Sequence, residues 1–216
     1  MASADSTDLI MKFVLSGSPT SGSAIAAEST TDVLRTSATS KRMLAGFEAG
    51  RMFEVERFTF RAGTSGSEQS AEEEASSTKK DLKALAKKGG YQTWRAGGTF
   101  AYPVDLQPIS FTRAIDKAST ILIQNCIDCV SYDSASLIKR KAIGGVASGE
   151  VYMRMDFIGV LVIGIDWSDG DEVTETCRFI SRSVTISYRP QLPDGTLGAI
   201  VSGFWSMVPN EKALVL

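Results

Sequence analysis

Two long segments of alternating apolar and polar residues constrain the fold of this chain more than any other feature. They cover residues 151–165 and 175–188, and both change phase along their length. Strict alternation is the pattern of a β-strand, because successive side chains point to opposite faces of a sheet. From Phe157 onward, both faces of the first segment are apolar. A strand of this kind must be covered twice, once by its own core and once by a helix or a neighbouring subunit.

Shorter segments extend the β pattern around these two. A buried strand, a strand with a phase change and a third strand are predicted at Leu9–Leu15, 52–60 and 136–141. The phase change falls near Arg57 and predicts a bulge or a bend, which suits a strand that curls into a barrel. Glycine-containing signals at 143–149 and 166–171 predict hairpin turns between the last three strands. The chain is therefore expected to be mainly β.

Two segments carry helical patterns. The main helix is predicted over 118–129 and is expected to be capped near Ser119. A second helix, over 71–88, begins with glutamates and ends with lysines, which complement the helix dipole. Its apolar stripe contains only two leucines, so it should pack weakly. We therefore predict a single domain over 1–216 with a helical and linker-like insertion at about 62–104.

The absence of histidine limits the chemistry that this chain can perform. Its 216 residues contain no histidine and three cysteines. Histidine is the commonest general base and the usual imidazole ligand of zinc, copper and non-haem iron, so most familiar hydrolases are excluded. A formal net charge of −2 provides no strong positive field for nucleic acid or for a membrane surface. Composition favours a protein that is not an enzyme and has no nucleic-acid partner.

The N-terminal residues and the cysteine count predict a cytoplasmic folding environment. Residues 1–8 lack the positive charge that precedes the apolar core of a secretory signal. No apolar run approaches the length of about 20 residues that spans a bilayer. An odd number of cysteines argues against a disulfide framework. We expect reduced thiols, no membrane insertion and no export by the general secretory route.

The pair Cys126 and Cys129 has the CxxC spacing found in redox and zinc sites. It lies inside a helical pattern rather than at the start of a helix that follows a strand, so the thioredoxin context is missing. A zinc site would need two more ligands, and the chain offers only Cys177 and no histidine. Two buried structural cysteines are therefore predicted, with a redox or metal site as the alternative.

Two charged clusters complete the candidate sites. The densest acidic cluster consists of Asp166, Asp169, Asp171 and Glu172. Its order departs from EF-hand spacing and fits a solvated hairpin tip. The basic run at 139–141 fits a solvent face or a rim contact better than a nucleic-acid patch. No glycine-rich phosphate loop occurs either, so we assign no catalytic, cofactor-binding or metal-ligating residue and predict no cofactor.

The second half of the chain carries an ordered series of motifs. These are FTRAIDK at 111–117, LIKRK at 137–141, TISYRP at 185–190, PDG at 193–195 and GFW at 203–205. Together with the helix that contains Cys126, the series resembles the central block of the Hcp family, the tube proteins of the type VI secretion system. The resemblance covers roughly residues 109–205 and extends to the first strand, Leu9–Leu15.

The resemblance implies a mainly β fold: a small β-barrel of two antiparallel sheets with one flanking α-helix, plus a partly helical inserted extended loop. It also implies hexameric rings that stack into a tube, which is exported with effectors by a machine that includes sheath and spike proteins. The implied localisation is cytoplasmic before assembly, then secreted without a signal peptide. A closed ring would cover strands that are apolar on both faces.

The stretch at 62–104 departs from the family pattern because it is longer and more charged than the loop usually found there. Family interface positions are therefore not carried over to it, and ring stacking, sheath contact and a dedicated partner stay open as its role. Two alternative functions also stay open. One is the tail-tube protein of a phage-like contractile injection particle, and the other is a monomeric β-sandwich enzyme or binding module.

Overall fold

The computed structural model of this chain describes residues 9–16, 24–28, 40–64, 104–143, 146–206 and 211–215. The strands are β1 (Leu9–Leu15), β2 (Phe53–Glu54), β3 (Arg57–Thr59), β4 (Ala62–Thr64), β5 (Val104–Leu106), β6 (Ile109–Ala114), β7 (Ser131–Ile143), β8 (Val146–Ser168), β9 (Thr174–Tyr188), β10 (Val201–Ser206) and β11 (Glu211–Val215). The helix α1 (Lys117–Ile127) lies between β6 and β7 in the chain. The mainly β composition is as predicted. Within these ranges, no helix is long and apolar enough to cross a membrane.

Two compact units make up the chain. The first contains Met1–Phe60 and Pro108–Leu216, and the second contains Arg61–Gln107. In the second unit, β4 pairs with β5 in an antiparallel two-stranded sheet. The helix predicted at 71–88 lies outside the described residues. The expectation of one domain with an insertion at about 62–104 stays a prediction.

A nine-stranded antiparallel sheet forms the first unit. Its three longest strands, β7, β8 and β9, follow one another as hairpins, and β1 pairs with the other edge of β7. The far edge of β9 is shared, because β6 pairs with residues 174–179 and β10 with residues 183–188. β11 pairs with β10. The sheet therefore divides into two branches along β9.

The segment 53–59 closes the curled sheet into a barrel. Its first part, β2, pairs with β1, and its second part, β3, pairs with β6. At the bend between them, the Val55 N–H donates to the Leu9 carbonyl at 3.0 Å and the Glu56 N–H donates to the Thr112 carbonyl at 2.9 Å. The bend predicted from the phase change is confirmed. It allows one short segment to pair with both ends of the path β1–β7–β8–β9–β6.

Aromatic rings fill the inside of this barrel. The ring centroid of Phe13 lies 5.1 Å from that of Tyr132, 5.7 Å from Phe179 and 6.0 Å from Phe111. Phe157 and Phe179 meet edge to face at 5.3 Å. All of these side chains are buried. Edge-to-face contacts are a favoured geometry for aromatic pairs, so rings from five different strands stabilise the closed sheet.

A change of phase at Gly159 explains part of the apolar pattern of β8. Before it, Phe157 is buried and Ile158 is exposed; after it, Val160 is buried and Ile163 is exposed. Gly159 has a φ of 61°, in the left-handed region that glycine adopts without a steric penalty. The inward-facing set therefore shifts by one residue. This shift therefore explains part of the sequence pattern that was predicted to be apolar on both faces of the strand.

The segment 40–52 of the same chain covers the outer face of β1. A buried apolar cluster joins this segment to the sheet and consists of Ile10, Met43, Leu44, Phe47, Met52, Ile138 and Val151. For the strands at 151–165 and 175–188, a second cover was predicted to come from a helix or a neighbouring subunit. At β1, for which no such cover was predicted, this largely irregular segment of the same chain provides one.

Two cations on the sheet hold the covering segment in place. Lys12 Nζ donates to the Gly46 carbonyl at 2.6 Å, and Arg154 Nη1 donates to the carbonyls of Met43 and Ala45, both at 2.9 Å. These carbonyls belong to the turns at 40–46, and cations are favourable where carbonyls point outward at the end of a helical turn. The charged groups therefore satisfy backbone acceptors that the cover would otherwise leave unpaired.

The helix α1 begins at an N-cap on Asp116 rather than near Ser119. Asp116 Oδ1 accepts from the Ala118 N–H at 2.8 Å, and Ser119 Oγ accepts from the Asp116 N–H at 3.2 Å. This is a capping box, in which Ser119 is the reciprocal partner of the true cap. The predicted cap was wrong for that reason. The helix lies against β8, so the predicted flanking helix is confirmed.

Candidate functional site

The acidic cluster lies at the tip of the β8–β9 hairpin. Asp166 forms a 2.9 Å ion pair with Arg178 between exposed side chains, and Asp169, Asp171 and Glu172 are exposed in the turn. Exposed pairs of this kind contribute about 0–1 kcal/mol. The predicted solvated hairpin tip is confirmed. In the part of the chain that the structure describes, no group of three or more His, Cys, Asp or Glu side chains could hold a metal ion.

The basic run at 139–141 lies on β7 and is half-buried. Lys141 Nζ lies 5.0 Å from the centroid of the Tyr152 ring and donates to Gln191 Oε1 at 2.9 Å. A cation–π contact and a hydrogen bond therefore engage this lysine within the chain itself.

The CxxC pair was predicted to be buried, and the structure contradicts this. Cys126 is half-buried on the last turn of α1, Cys129 is exposed just beyond the helix, and both are free thiols. Cys177 is a third free thiol and is buried on β9. Burial, and then the charge of Glu175, raise the pKa of the Cys177 thiol. The burial predicted for the pair is therefore only partial at Cys126 and fails for Cys129, whose position past the helix end leaves it in solvent.

A buried ion pair between Arg113 and Glu175 joins β6, β9 and the start of α1. The two side chains are 1% and 0% exposed, and Arg113 Nε lies 3.0 Å from Glu175 Oε1. Trp167 Nε1 donates to the other oxygen of Glu175 at 3.0 Å. The remaining nitrogens of the guanidinium donate to Asp116 Oδ1 at 2.7 Å and to Ser119 Oγ at 2.8 Å. Every nitrogen of the guanidinium therefore has an acceptor.

The surroundings of Arg113 explain how a charge is accommodated here. Its guanidinium carbon lies 4.1 Å from the centroid of the Phe53 ring, which adds a cation–π contact. Removing one partner of a buried pair costs about 3–5 kcal/mol, because an uncompensated charge is left behind. In β6, Arg113 follows Ile109 and Phe111 at alternate, inward-facing positions. A charged residue in phase with two apolar ones is the sequence signal that could have revealed this network.

A second buried polar cluster contains Ser40, Glu150 and Arg189. Ser40 Oγ donates to Glu150 Oε2 and accepts from the Val151 N–H at 3.3 Å. Arg189 Nη1 lies 3.9 Å from the same carboxylate oxygen, and Arg189 Nε donates to the Gly198 carbonyl at 3.2 Å. The cluster fixes the start of the covering segment to β8 and to the chain that follows β9. Its groups are paired with one another and serve the fold.

An exposed apolar strip lies on the outer face of β8 and β9. Ile158, Ile163 and Ile180 are 50%, 46% and 41% exposed. Leu161, directly opposite Ile180 in the ladder, is half-buried. Large apolar side chains clustered on one surface of a soluble protein mark an interaction site more often than chance exposure does. We call Ile158, Leu161, Ile163 and Ile180 the β8–β9 strip, and it is the candidate interaction surface.

Two arginines lie flat across glycines on this surface. A Cβ at Gly159 would stand 2.8 Å from Arg182 Cδ, and a Cβ at Gly164 would stand 3.1 Å from Arg178 Nη2. Both arginines are exposed. The glycines leave room for each arginine side chain to run along the sheet instead of projecting from it. The strip is therefore bordered by cationic groups that leave its apolar side chains accessible.

The fold is that of known type VI secretion proteins. A solved structure titled as a type six secretion system protein superposes with a TM-score of 0.59 and 18% identity, covering 95% of this chain and 99% of that one. Hcp1 from Salmonella typhimurium superposes with a TM-score of 0.56 and 16% identity, also covering 95% of this chain and 99% of that one. At these identities, the likeness establishes the architecture alone. The predicted small β-barrel with a flanking helix is thereby confirmed.

Sequence similarity establishes the family. The family model described as "Type VI secretion system effector, Hcp" matches residues 63–189. Protein hcp1 of Pseudomonas aeruginosa is 32% identical over 114 residues, which are 51% of this chain and 69% of that protein. The chain belongs to the Hcp family of the type VI secretion system. The family match begins at residue 63, well before the motifs at 109–205 that carried the resemblance.

Proposed function

We propose that this chain is the structural subunit of the inner tube of a type VI secretion system. In this proposal the protein forms hexameric rings, the rings stack into a tube, and the tube is exported together with effectors. Sheath and spike proteins are its partners in the machine. The protein acts through its shape and its surfaces and not as an enzyme, and it inserts into no membrane.

The β8–β9 strip is the observation that supports this proposal most directly. Barrel closure already supplies an inner core for β8 and β9, so the strip adds a second apolar face to the same strands. A ring places the same contact between every pair of neighbouring subunits, and a heterologous contact of this kind closes without leaving a free apolar face. Burial of apolar surface contributes about 25 cal/mol per Å².

The proposed route of the protein follows from its role in the machine. It folds in the cytoplasm with reduced thiols, assembles there into rings, and leaves the cell as part of the tube. The family assignment supports this route.

Assembly of purified protein tests the proposal. We expect light scattering to give the mass of a hexamer, and negative-stain electron microscopy to show rings. The double variant Ile163→Glu and Ile180→Glu should be monomeric, because it places charges in the contact, while circular dichroism shows an intact β fold. Ile180→Val keeps the contact apolar and should still form rings. Ile127→Glu changes an exposed isoleucine on α1 and is the matched control for added charge.

Three outcomes would contradict the proposal. The first is a wild-type protein that stays monomeric at high concentration. The second is the double variant forming rings as well as the wild type, which would remove the strip from the interface. A third is equal loss of rings in Ile127→Glu, which would show an effect of charge in general rather than of the strip.

A further inference from the structure

The end of α1 has an unusual residue at its left-handed position. The Cys129 N–H donates to the Cys126 carbonyl at 3.3 Å, and the Val130 N–H donates to the Asn125 carbonyl at 2.9 Å. These two bonds define a Schellman motif, in which the residue just past the helix is usually glycine. Here that residue is Cys129, with a φ of 54°. It is the one non-glycine residue with positive φ in the ranges that the structure describes.

The same hydrogen bonds bring the backbones of Cys126 and Cys129 close together. Residues joined across such a turn have Cα atoms less than about 7 Å apart. Disulfides connect Cα atoms separated by about 4.4–6.8 Å. Burial, and then the charge of Cys129, raise the pKa of the Cys126 thiol. The backbone of the turn therefore places the pair within the Cα separation that a disulfide requires.

The three cysteines of the chain differ in their access to solvent. Cys129 is exposed, and its neighbours Ile127 and Val130 are exposed as well. Cys126 is half-buried beside it. Cys177 is fully buried on β9, and burial raises the pKa of its thiol. An oxidant from solvent therefore reaches Cys129 first and Cys177 last.

We propose that Cys126 and Cys129 are a redox-active pair that closes to an intrachain disulfide on contact with a small-molecule disulfide, while Cys177 stays reduced. The Cys129 thiolate attacks one sulfur of the oxidant, releases one thiol and becomes a mixed disulfide. The Cys126 thiolate then attacks the Cys129 sulfur and expels the second thiol. Two protein thiols are oxidised and one small disulfide is reduced to two thiols. This inference is independent of the proposed function.

The bridge would act on the end of α1. It would join the last helical turn to the residue that leads into β7, and it would hold Cys129 in a backbone conformation that non-glycine residues seldom adopt. The Asn125 side chain on the same turn donates to the buried Tyr132 hydroxyl at 2.9 Å, so this turn is already fixed to the barrel. The disulfide would therefore form within a turn whose position the hydrogen bond to Tyr132 already fixes.

Thiol trapping on the full native chain tests the proposal. The protein is incubated with oxidised glutathione, quenched in acid, denatured, alkylated and digested with trypsin. Cleavage after Lys117 and Lys139 releases Cys126 and Cys129 in one peptide, and cleavage after Arg154 and Arg178 releases Cys177 in another. We expect the first peptide to lose two hydrogens and carry no glutathione, while the second is fully alkylated. The closing rate should rise with pH, because Cys126 must lose its proton.

The variant Cys126→Ser provides the control, since it should stop at a stable glutathione adduct on Cys129. Four results would overturn the proposal: a lasting glutathione adduct on Cys129 in the wild type, disulfide-linked dimers on a non-reducing gel, equal oxidation of Cys177, or no reaction at either residue of the pair. Each of these can arise whether or not the protein forms rings, so failure here is distinguishable from failure of the proposed function.

Discussion

The outer faces of β1 and of the β8–β9 pair both carry large apolar side chains outside the barrel, but their surroundings in the folded chain differ. On β1, residues 40–52 fold back over that face and bury Ile10 completely. On β8 and β9, the corresponding surface keeps Ile163 and Ile180 exposed. A strand that is apolar on both faces therefore needs a second cover. The sequence of the strand does not show whether that cover comes from the same chain or from another molecule.

The polar groups around the two faces differ in the same sense. At the covered face, Lys12 and Arg154 donate hydrogen bonds to backbone carbonyls of the covering segment. Beside the β8–β9 strip, Arg178 and Arg182 lie along the sheet and remain in solvent. Arginine occurs in both settings, since Arg154 anchors the cover and Arg178 and Arg182 border the open surface. Their hydrogen-bond partners distinguish them.

A glutamate placed on each face should give the largest contrast. Ile10→Glu puts a carboxylate into the buried cluster under the cover and should lower the free energy of unfolding by more than about 4 kcal/mol, because the charge has no partner there. Ile163→Glu puts the same group into solvent and should change stability by less than about 0.5 kcal/mol. Urea denaturation at a concentration where both proteins are monomeric measures the two values.

Equal stability losses at the two positions would remove the basis of this contrast. They would show that the β8–β9 strip is covered within the protomer, and the strip could then no longer serve as an interaction surface.

Removing one ring from the cover should have the next largest effect. Phe47 is buried, and its ring lies 5.1 Å from Lys12 Nζ and 5.7 Å from Arg154 Cζ. Phe47→Ala should cost about 3 kcal/mol in chemical denaturation, through lost burial, a cavity and two lost cation–π contacts. Phe47→Leu keeps most of the volume and should cost less than half as much. A cover that contributes nothing would leave both variants as stable as the wild type.

The glycines under the flat arginines should give smaller effects that can be separated. Gly159→Ala combines a left-handed backbone with a close approach to Arg182, and we expect a loss of about 1–2 kcal/mol. Gly195→Ala has positive φ but nothing within 4 Å of the new Cβ, so it measures the conformational cost alone. Gly164→Ala measures the crowding against Arg178. Thermal denaturation should rank Gly159→Ala as the most costly of the three.

Much of the barrel could be predicted from the sequence, because its signals are local. Alternation located the long strands, and the phase change near Arg57 located the bend that closes the sheet. The apolar run after Phe157 was harder, since alternation cannot tell a two-sided strand from one whose inward set shifts at a left-handed glycine. The φ of Gly159 decides this, and it depends on how β8 coils against β9.

The long-range contacts could not be predicted in this way. The Arg113–Glu175 pair joins residues far apart in sequence, and the covering segment places Met43 and Phe47 against strands on both sides of it in the chain. The alternation of β6 marks Arg113 as inward-facing but does not identify its partner, and no periodic signal predicts the cover, because both contacts depend on where β6, β9 and β1 meet in the closed barrel. For the candidate site, apolar residues on the outer face were predicted, but only the structure shows which of them stay exposed.

The pH dependence of stability offers the finest test of the covered face. Burial, and then the charge of Arg154, lower the pKa of Lys12 from its ordinary value of 10.5, although Asp156 and Glu48 raise it. A base whose pKa is lower in the folded state binds fewer protons there than in the unfolded chain, so its contribution to stability rises as the pH climbs towards 10.5. Lys12→Met removes this titration and keeps an apolar side chain. The free energy of unfolding of the wild type, measured relative to Lys12→Met, should therefore increase from neutral pH towards 10.5. We expect this increase to be smaller than the stability changes in the Ile10→Glu, Phe47→Ala and Gly159→Ala variants. A flat difference over this range would mean that Lys12 is solvated in the folded protein, and that the covering segment does not close over β1.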